Sequence, residues 1–394
     1  MPDLKLFSRR IPTPALTADA SRTLDSLLHA AVQAEASDLH CEPKTDGLCI
    51  RFRIDGEMRE HTRLPVSERD ALLARGKIFG GMDITEKRLP QDGRAVWVSE
   101  QRRFHLRLST VPTVHGESLV IRLLDQQMPS RDFADLGFSQ IQSNALAHAL
   151  AGPAGLILLT GPTGSGKTTS LHAALQALDH QSRVIHTLEE PVEYEFPGIR
   201  QTEIREKIGL TFASALRALL RQNPDVMLVG ETRDNETAQL AVRAALTGHV
   251  VLSTLHTNDA LAAIPRLRDL GTEAFLLAAS LRLVAAQRLV RRLCPECKRP
   301  HRDLARLADL HGLPDAKFCQ PRGCPGCAGR GYRGRLAIHE VIPMEKFLPL
   351  IAAEAPQSEL TALRESEGIA TLWQHGLAAA GTGLTTLEEV TRVL

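Results

Sequence analysis

Residues 155–169 limit what this chain can fold into more than any other stretch: Gly-Leu-Ile-Leu-Leu-Thr-Gly-Pro-Thr-Gly-Ser-Gly-Lys-Thr-Thr, an apolar run that breaks into glycines and then becomes a helix. The run 156–159 has no polar position, as expected of a parallel strand buried on both faces. The following Ser-Leu-His-Ala-Ala-Leu-Gln-Ala-Leu has helical composition and spacing. Gly161 and Gly166 bracket a turn whose backbone N–H groups must point inward around a phosphate, with the positive end of a helix dipole behind them. Gly161, Pro162, Thr163, Gly164, Ser165, Gly166, Lys167 and Thr168 complete the G-x-x-x-x-G-K-[ST] pattern, and Thr169 continues it into the helix. In that strand–loop–helix setting Lys167 reaches the β/γ-phosphates of a nucleotide, and the Thr168 hydroxyl is placed for Mg²⁺.

Around this loop, from about Phe133, long apolar runs alternate with helical stretches, the pattern of a doubly wound α/β sheet. Four runs stand out, at 156–159, 184–188, 226–229 and 250–252, each ending in polar residues. Ligands of open α/β sheets sit at the carboxyl ends of the strands. Glu189 and Glu190, Glu231, and His256 are therefore expected to face Lys167. Glu231 follows its strand by one glycine, the place for a carboxylate that orients or deprotonates a water beside Mg²⁺; a partner for Arg233 is the structural alternative. Asp225 precedes the same strand and reads as structural. Adjacent carboxylates on a strand point to opposite faces, so at most one of Glu189 and Glu190 reaches a metal. His256 could sense a γ-phosphate through a ring N–H, or merely be hydrogen-bonded.

Ahead of this domain, 1–20 reads as a loose lead and 21–125 as a smaller α+β domain. A helix follows a cap at Ser21, and Ile50, Phe52 and Ile54 alternate with Arg51, Arg53 and Asp55. A second helix spans about 67–79, Pro90-Gln-Asp-Gly-Arg94 is a turn by composition, and strands are expected at 95–99, 103–109 and 116–124. Residues 126–132 form the linker, 133–292 the doubly wound α/β core, and 336–394 small helices.

Between the last two, Cys294-x-x-Cys297 and Cys324-x-x-Cys327 lie twenty-six residues apart. Four thiolates suit a closed tetrahedral Zn²⁺, with free thiols or a redox pair as the alternatives. Cys41, Cys49 and Cys319 read as packing residues. A formal charge of +1 gives no bulk electrostatic argument for nucleic acid or membrane. The start of the chain lacks the apolar core of a signal peptide, and no apolar run is long enough to span a bilayer, so a cytoplasmic location is expected.

These residues resemble one family, the hexameric secretion ATPases that drive type II secretion and type IV pilus assembly. The phosphate loop, an acidic box in Thr-Leu-Glu189-Glu190-Pro-Val-Glu-Tyr194, a Walker B form from Asp225 to Glu231, and a histidine box ending in Leu255-His256-Thr-Asn occur in the family's order. Gln91-Asp-Gly-Arg94 and Arg107-Leu-Ser-Thr are similar to segments of its second N-terminal, PAS-like domain, and the cysteine pairs to the metal-binding insertion of its assembly members. The resemblance implies a RecA-like motor that hydrolyses ATP with Mg²⁺ and carries Zn²⁺. It further implies a homo-hexamer peripheral to the inner membrane, acting on a platform protein that builds a pilin-like fibre. Arg94 and Arg107 become candidate arginine fingers shared between subunits, beside Glu231, Glu189 and His256 as catalytic candidates. Two departures stand out. Glu190 replaces the usual Asp of the acidic box, and the chain opens almost at the second N-terminal domain, which leaves docking to a membrane-recruiting partner open.

A retraction or DNA-uptake motor, a non-hydrolysing ring scaffold, and a DNA translocase are the competing readings. The cysteine pairs favour assembly over retraction, and Lys167, Thr168 and Glu231 speak against a scaffold. Two tryptophans, two tyrosines and near-zero charge offer little for tracking nucleic acid, so no direct nucleic-acid partner is expected.

Overall fold

The computed structural model describes residues 18–99, 102–125 and 132–394, and the chain divides into two compact units, Met1–Gln127 and Met128–Leu394. The expected lead falls outside the described residues up to position 17, and the expected linker up to position 131.

In the first unit the order is α1 (Ala18–Gln33), β1 (Ala36–Lys44), β2 (Gly47–Ile54), β3 (Glu57–Leu64), α2 (Val66–Phe79), β4 (Gln91–Ser99), β5 (Arg102–Thr113) and β6 (Gly116–Asp125). The strands form an antiparallel sheet in the order β3-β2-β1-β6-β5-β4. Strand alternation sends Leu39, Ile50, Phe52, Leu106, Leu108 and Ile121 into a core with Leu24, Leu28 and Leu72 of the helices. Two expectations are corrected. Ser21 lies inside α1, which already begins at Ala18. Gln91–Arg94 belongs to β4, and Gly93 is there for close approach: a Cβ on it would lie 2.4 Å from the Gly80 carbonyl oxygen. β1 and β3 were not foreseen, since the polar run of β3 carries no alternation.

The second unit runs α3 (Gln140–Ala151), β7 (Gly155–Thr160), α4 (Lys167–Gln176), β8 (Ile185–Glu189), β9 (Arg200–Glu203), α5 (Phe212–Leu219), β10 (Val226–Val229), α6 (Asn235–Leu246), β11 (Val250–Leu255), α7 (Ala263–Asp269), α8 (Ala274–Ser280) and β12 (Leu281–Leu293). It continues with β13 (Arg299–Pro300), α9 (Leu304–Leu310), β14 (Cys319–Gln320), β15 (Tyr332–Pro343), α10 (Leu348–Ala352), α11 (Gln357–Ser366), α12 (Leu372–Gly381) and α13 (Leu387–Val393). Its sheet has the order β15-β12-β7-β11-β10-β8-β9, parallel except for β15. Both faces are covered. Leu156 and Leu158 of β7 enter the core shared with α5, α6 and α8, while Ile157 and Leu159 enter the core shared with α3 and α4.

The expected helical tail is corrected at its start, because residues up to Pro343 form β15. β12 and β15 are an antiparallel pair, and the cysteine segment with β13, α9 and β14 is the long connection between them. Short apolar runs fit helix and strand alike, so periodicity could not decide this. No helix among the described residues is long and apolar enough to cross a membrane.

Candidate nucleotide site and cysteine cluster

Parallel pairing brings the carboxyl ends of β7, β8, β10 and β11 to one edge of the sheet. Thr160 is level with Leu255, and Val229 with both Leu188 and Ser253. Gly161, Gly164 and Gly166 then take φ values of 149°, 78° and 88°, which side chains rarely tolerate, and Gly166 leads directly into α4. Lys167 is buried at the first turn, its Nζ donating to the carbonyls of Gly161 (2.6 Å) and Pro162 (3.0 Å). Burial, with a further push from the Arg288 charge and an opposing pull from Glu231, lowers its pKa from 10.5 to about 8. Thr168 is exposed at the same turn.

Glu231 bridges two partners, accepting from Arg233 (2.7 Å) and from His256 Nε2 (3.1 Å). Burial raises its pKa, but the Arg233 hydrogen bond and the charges of Arg233, His256 and Lys167 outweigh it, and the carboxyl sits below its ordinary value. His256 is pushed below its ordinary value by burial and then by the Lys167 charge, against the pull of Glu231. Lys167, Glu231 and His256 thus form one electrostatic group. Asp225 lies at the opposite end of β10, where Oδ2 accepts from the Val184 N–H at 2.6 Å.

The two acidic-box carboxylates part company. Glu190 is exposed and faces Arg233 at 3.4 Å. Glu189 is buried, with Oε1 accepting from Thr187 (2.6 Å) and Gln201 (2.9 Å) and Oε2 from His172 Nε2 (3.3 Å). Burial raises the Glu189 pKa, and these donors pull it below the ordinary value. His172, on α4 and flanked edge-on by Tyr194 and Phe196, was missed by the sequence reading, because an α-helical histidine amid alanines carries no spacing signal. Gln287 and Arg288 on β12 were missed too. Arg288 is buried, donating to the carbonyls of Asn258 (2.8 Å) and Gln287 (3.1 Å).

Arg94 and Arg107 belong to the other unit, on directly paired positions of β4 and β5. Arg107 is flanked by buried Leu106 and Leu108 and pairs in turn with Arg122 of β6, which with Arg53 holds Asp38. The two arginines therefore lie on the side of the sheet opposite its core.

The sulfurs of Cys294, Cys297, Cys324 and Cys327 lie within 4.8 Å of one another. Cys294–Cys324 and Cys297–Cys327 are 3.8 Å apart and Cys324–Cys327 3.7 Å. A zinc tetrahedron with Zn–S of about 2.3 Å has edges of about 3.8 Å, whereas a disulfide would bring sulfurs to about 2.05 Å. The donor set fits Zn²⁺. Cys327 Sγ also accepts from the backbone N–H of Cys324 (3.2 Å) and Gly331 (3.1 Å), the support a thiolate needs.

The sequence matches the family described as Type II/IV secretion system protein over residues 17–392. It is 46% identical over 374 residues to the Type II secretion system protein E of Klebsiella pneumoniae, covering 94% of this chain and 75% of that protein. To the type IV pilus assembly ATPase PilB of Myxococcus xanthus it is 45% identical over 383 residues, covering 95% of this chain and 67% of the other. Among solved structures it is similar to the pilus retraction motor PilT with bound ADP, at TM-score 0.64 and 26% identity, covering 94% of this chain and 96% of that one. Legionella pneumophila DotB shares the fold, at TM-score 0.69 and 20% identity over 94% of this chain and 95% of that one.

Proposed function

The chain belongs to the Type II/IV secretion system protein family, and on that premise we propose that residues 161–168, Glu231 and His256 form the hydrolytic site of an ATPase that powers assembly of a pilin or pseudopilin fibre. ATP hydrolysis is the activity of the family, and it implies ATP and Mg²⁺. Identities of 45–46% to assembly and secretion proteins, against 26% to the retraction motor, favour assembly. The observation that carries the residue roles is the grouping of Lys167, Glu231 and His256 at the carboxyl edge of one parallel sheet.

In this reading Lys167 and the loop N–H groups hold the β- and γ-phosphates, and the Thr168 hydroxyl ligates Mg²⁺. Glu231 orients the attacking water, with Arg233 and His256 keeping it ionised. Glu189 has its donors within the chain and acts by holding α4 to β8 through His172. The four cysteines hold a structural Zn²⁺, Arg94 and Arg107 complete the site of a neighbouring subunit in a ring of six, and an inner-membrane platform protein receives the work. A cytoplasmic protein peripheral to that membrane would fit this role.

Phosphate release by the purified chain should require Mg²⁺ and disappear in Lys167→Ala. Turnover unaffected by that change would overturn the assignment. Co-purification from membranes should retain a platform protein, and its absence from repeated captures would count against the assembly role.

A further inference from the structure

Behind the phosphate loop, β12 places one fully buried amide where it touches the loop on both sides. Gln287 is 2% exposed. Its Nε2 donates to the Ser165 carbonyl at 2.8 Å, and its Oε1 accepts from the Ser170 hydroxyl, also at 2.8 Å. Ser165 precedes the loop's last glycine and Ser170 is in the first turn of α4, so one side chain ties the loop to the helix it feeds. The fit leaves no slack. A Cβ on Gly166 would lie 2.7 Å from Gln287 Nε2, and a Cβ on Gly161 2.5 Å from the Gln287 carbonyl oxygen.

A planar trans peptide points its C=O and N–H in opposite directions. Pinning the Ser165 carbonyl toward β12 therefore turns the Gly166 N–H away from that strand, and holds Gly166 at its φ of 88°. N–H groups of this kind, aimed before the ligand arrives, are what binds phosphate. The strand supplying the amide lies far along the chain from the loop, so this support comes from the sheet and not from the motif.

We propose that Gln287 is a positioning residue for nucleotide binding: its amide presets the phosphate loop by holding the Ser165 carbonyl and the Ser170 hydroxyl together. The proposal rests on the nucleotide reading of the loop. It assigns Gln287 no contact with the reacting atoms. Loss of the amide leaves a buried carbonyl unpaired and frees the loop to sample other turns, a cost met again each time nucleotide binds.

The test uses the full chain with Gln287→Ala, Gln287→Glu and Ser170→Ala. Affinity is measured by titration with a fluorescent ATP analogue and Mg²⁺, beside kcat, KM and melting temperature without nucleotide. Gln287→Ala should weaken binding and raise KM about tenfold, with kcat within about threefold of wild type. Gln287→Glu retains the acceptor but loses the donor and adds a negative charge, so it should bind more weakly still. Ser170→Ala removes one half of the clamp at little risk to folding and should shift affinity the same way, by about threefold. In each, amides at 164–170 should exchange faster than in wild type before nucleotide is added. A lowered melting temperature with wild-type affinity and KM in Ser170→Ala and in the folded fraction of Gln287→Ala would overturn the clamp. A wild-type chain that fails to bind the analogue would overturn the nucleotide reading, and the clamp with it.

Discussion

At the scale of single residues, burial and neighbouring charge decide what each group can do. Lys167 is held in a pocket that disfavours its charge, with its pKa lowered to about 8. Between that value and the ordinary 10.5 the folded chain binds fewer protons than the unfolded one, so this residue's contribution to stability rises with pH across the window. Phosphate oxygens favour the charged amine, so nucleotide binding there should take up a proton. Calorimetry at pH 9 in buffers of different ionisation enthalpy should register that uptake, and at pH 7 it should largely vanish; pH-independent binding heats would contradict the assignment. Glu231 carries a different prediction. Glu231→Gln keeps the shape and loses the charge, so turnover should fall by at least about a hundredfold while ATP still binds. Wild-type phosphate release in that variant would remove Glu231 from the reaction. The lowered pKa of His256 adds that turnover should show no loss attributable to its protonation until the pH falls below 6.5.

At the scale of elements, the strands that carry the site are the parallel runs legible from composition, but the ones that brace it are not. β12 supplies Gln287 to the loop and ends at Leu293, where it is tied to the C-terminal helices: the Leu293 N–H donates to the Leu384 carbonyl, and Arg291 pairs with buried Glu389. The cysteine cluster therefore closes a connection whose two ends are fixed in the sheet. One zinc per chain is expected by elemental analysis. Cys294→Ser or Cys327→Ser should loosen residues 293–335 and α12 and α13 more than β7, β10 or β11, as read by hydrogen exchange. Uniform protection in the metal-free variant would refute a structural role. In the first unit, Lys77 is buried, paired with Glu117 and donating to the Glu86 carbonyl. Glu117→Gln should destabilise that unit by about 3–5 kcal/mol, because it leaves a buried charge without its partner. Denaturant unfolding followed in α2 and β6 checks this.

At the scale of the whole molecule, Arg94, Arg107 and Arg122 occupy paired positions on three neighbouring strands of the first unit's sheet. If Arg107 completes a neighbour's site, Arg107→Ala should lose turnover but keep fold and assembly. Mixing it with Lys167→Ala should recover some activity where an intact loop meets an intact arginine; a mixture as inactive as its components would exclude shared sites. Light scattering with nucleotide should give six chains per particle. The division between sequence and structure follows the range of the interactions. Local chemistry was readable in order: the phosphate loop, the four buried strands, Glu231 one glycine past its strand, and the two cysteine pairs all follow from spacing along a few residues. What spacing could not reveal was decided by groups distant in the chain. Gly93 looked like a turn until the Gly80 backbone lay against it, residues 336–343 looked helical until β12 offered them a ladder, and the donors that Glu189 meets, His172 and Gln201, come from elements no spacing connects to it. A motif records what a segment can do for itself. Which backbone approaches it, and which buried donors claim its polar atoms, is set by packing, and packing is known only once the sheet has formed.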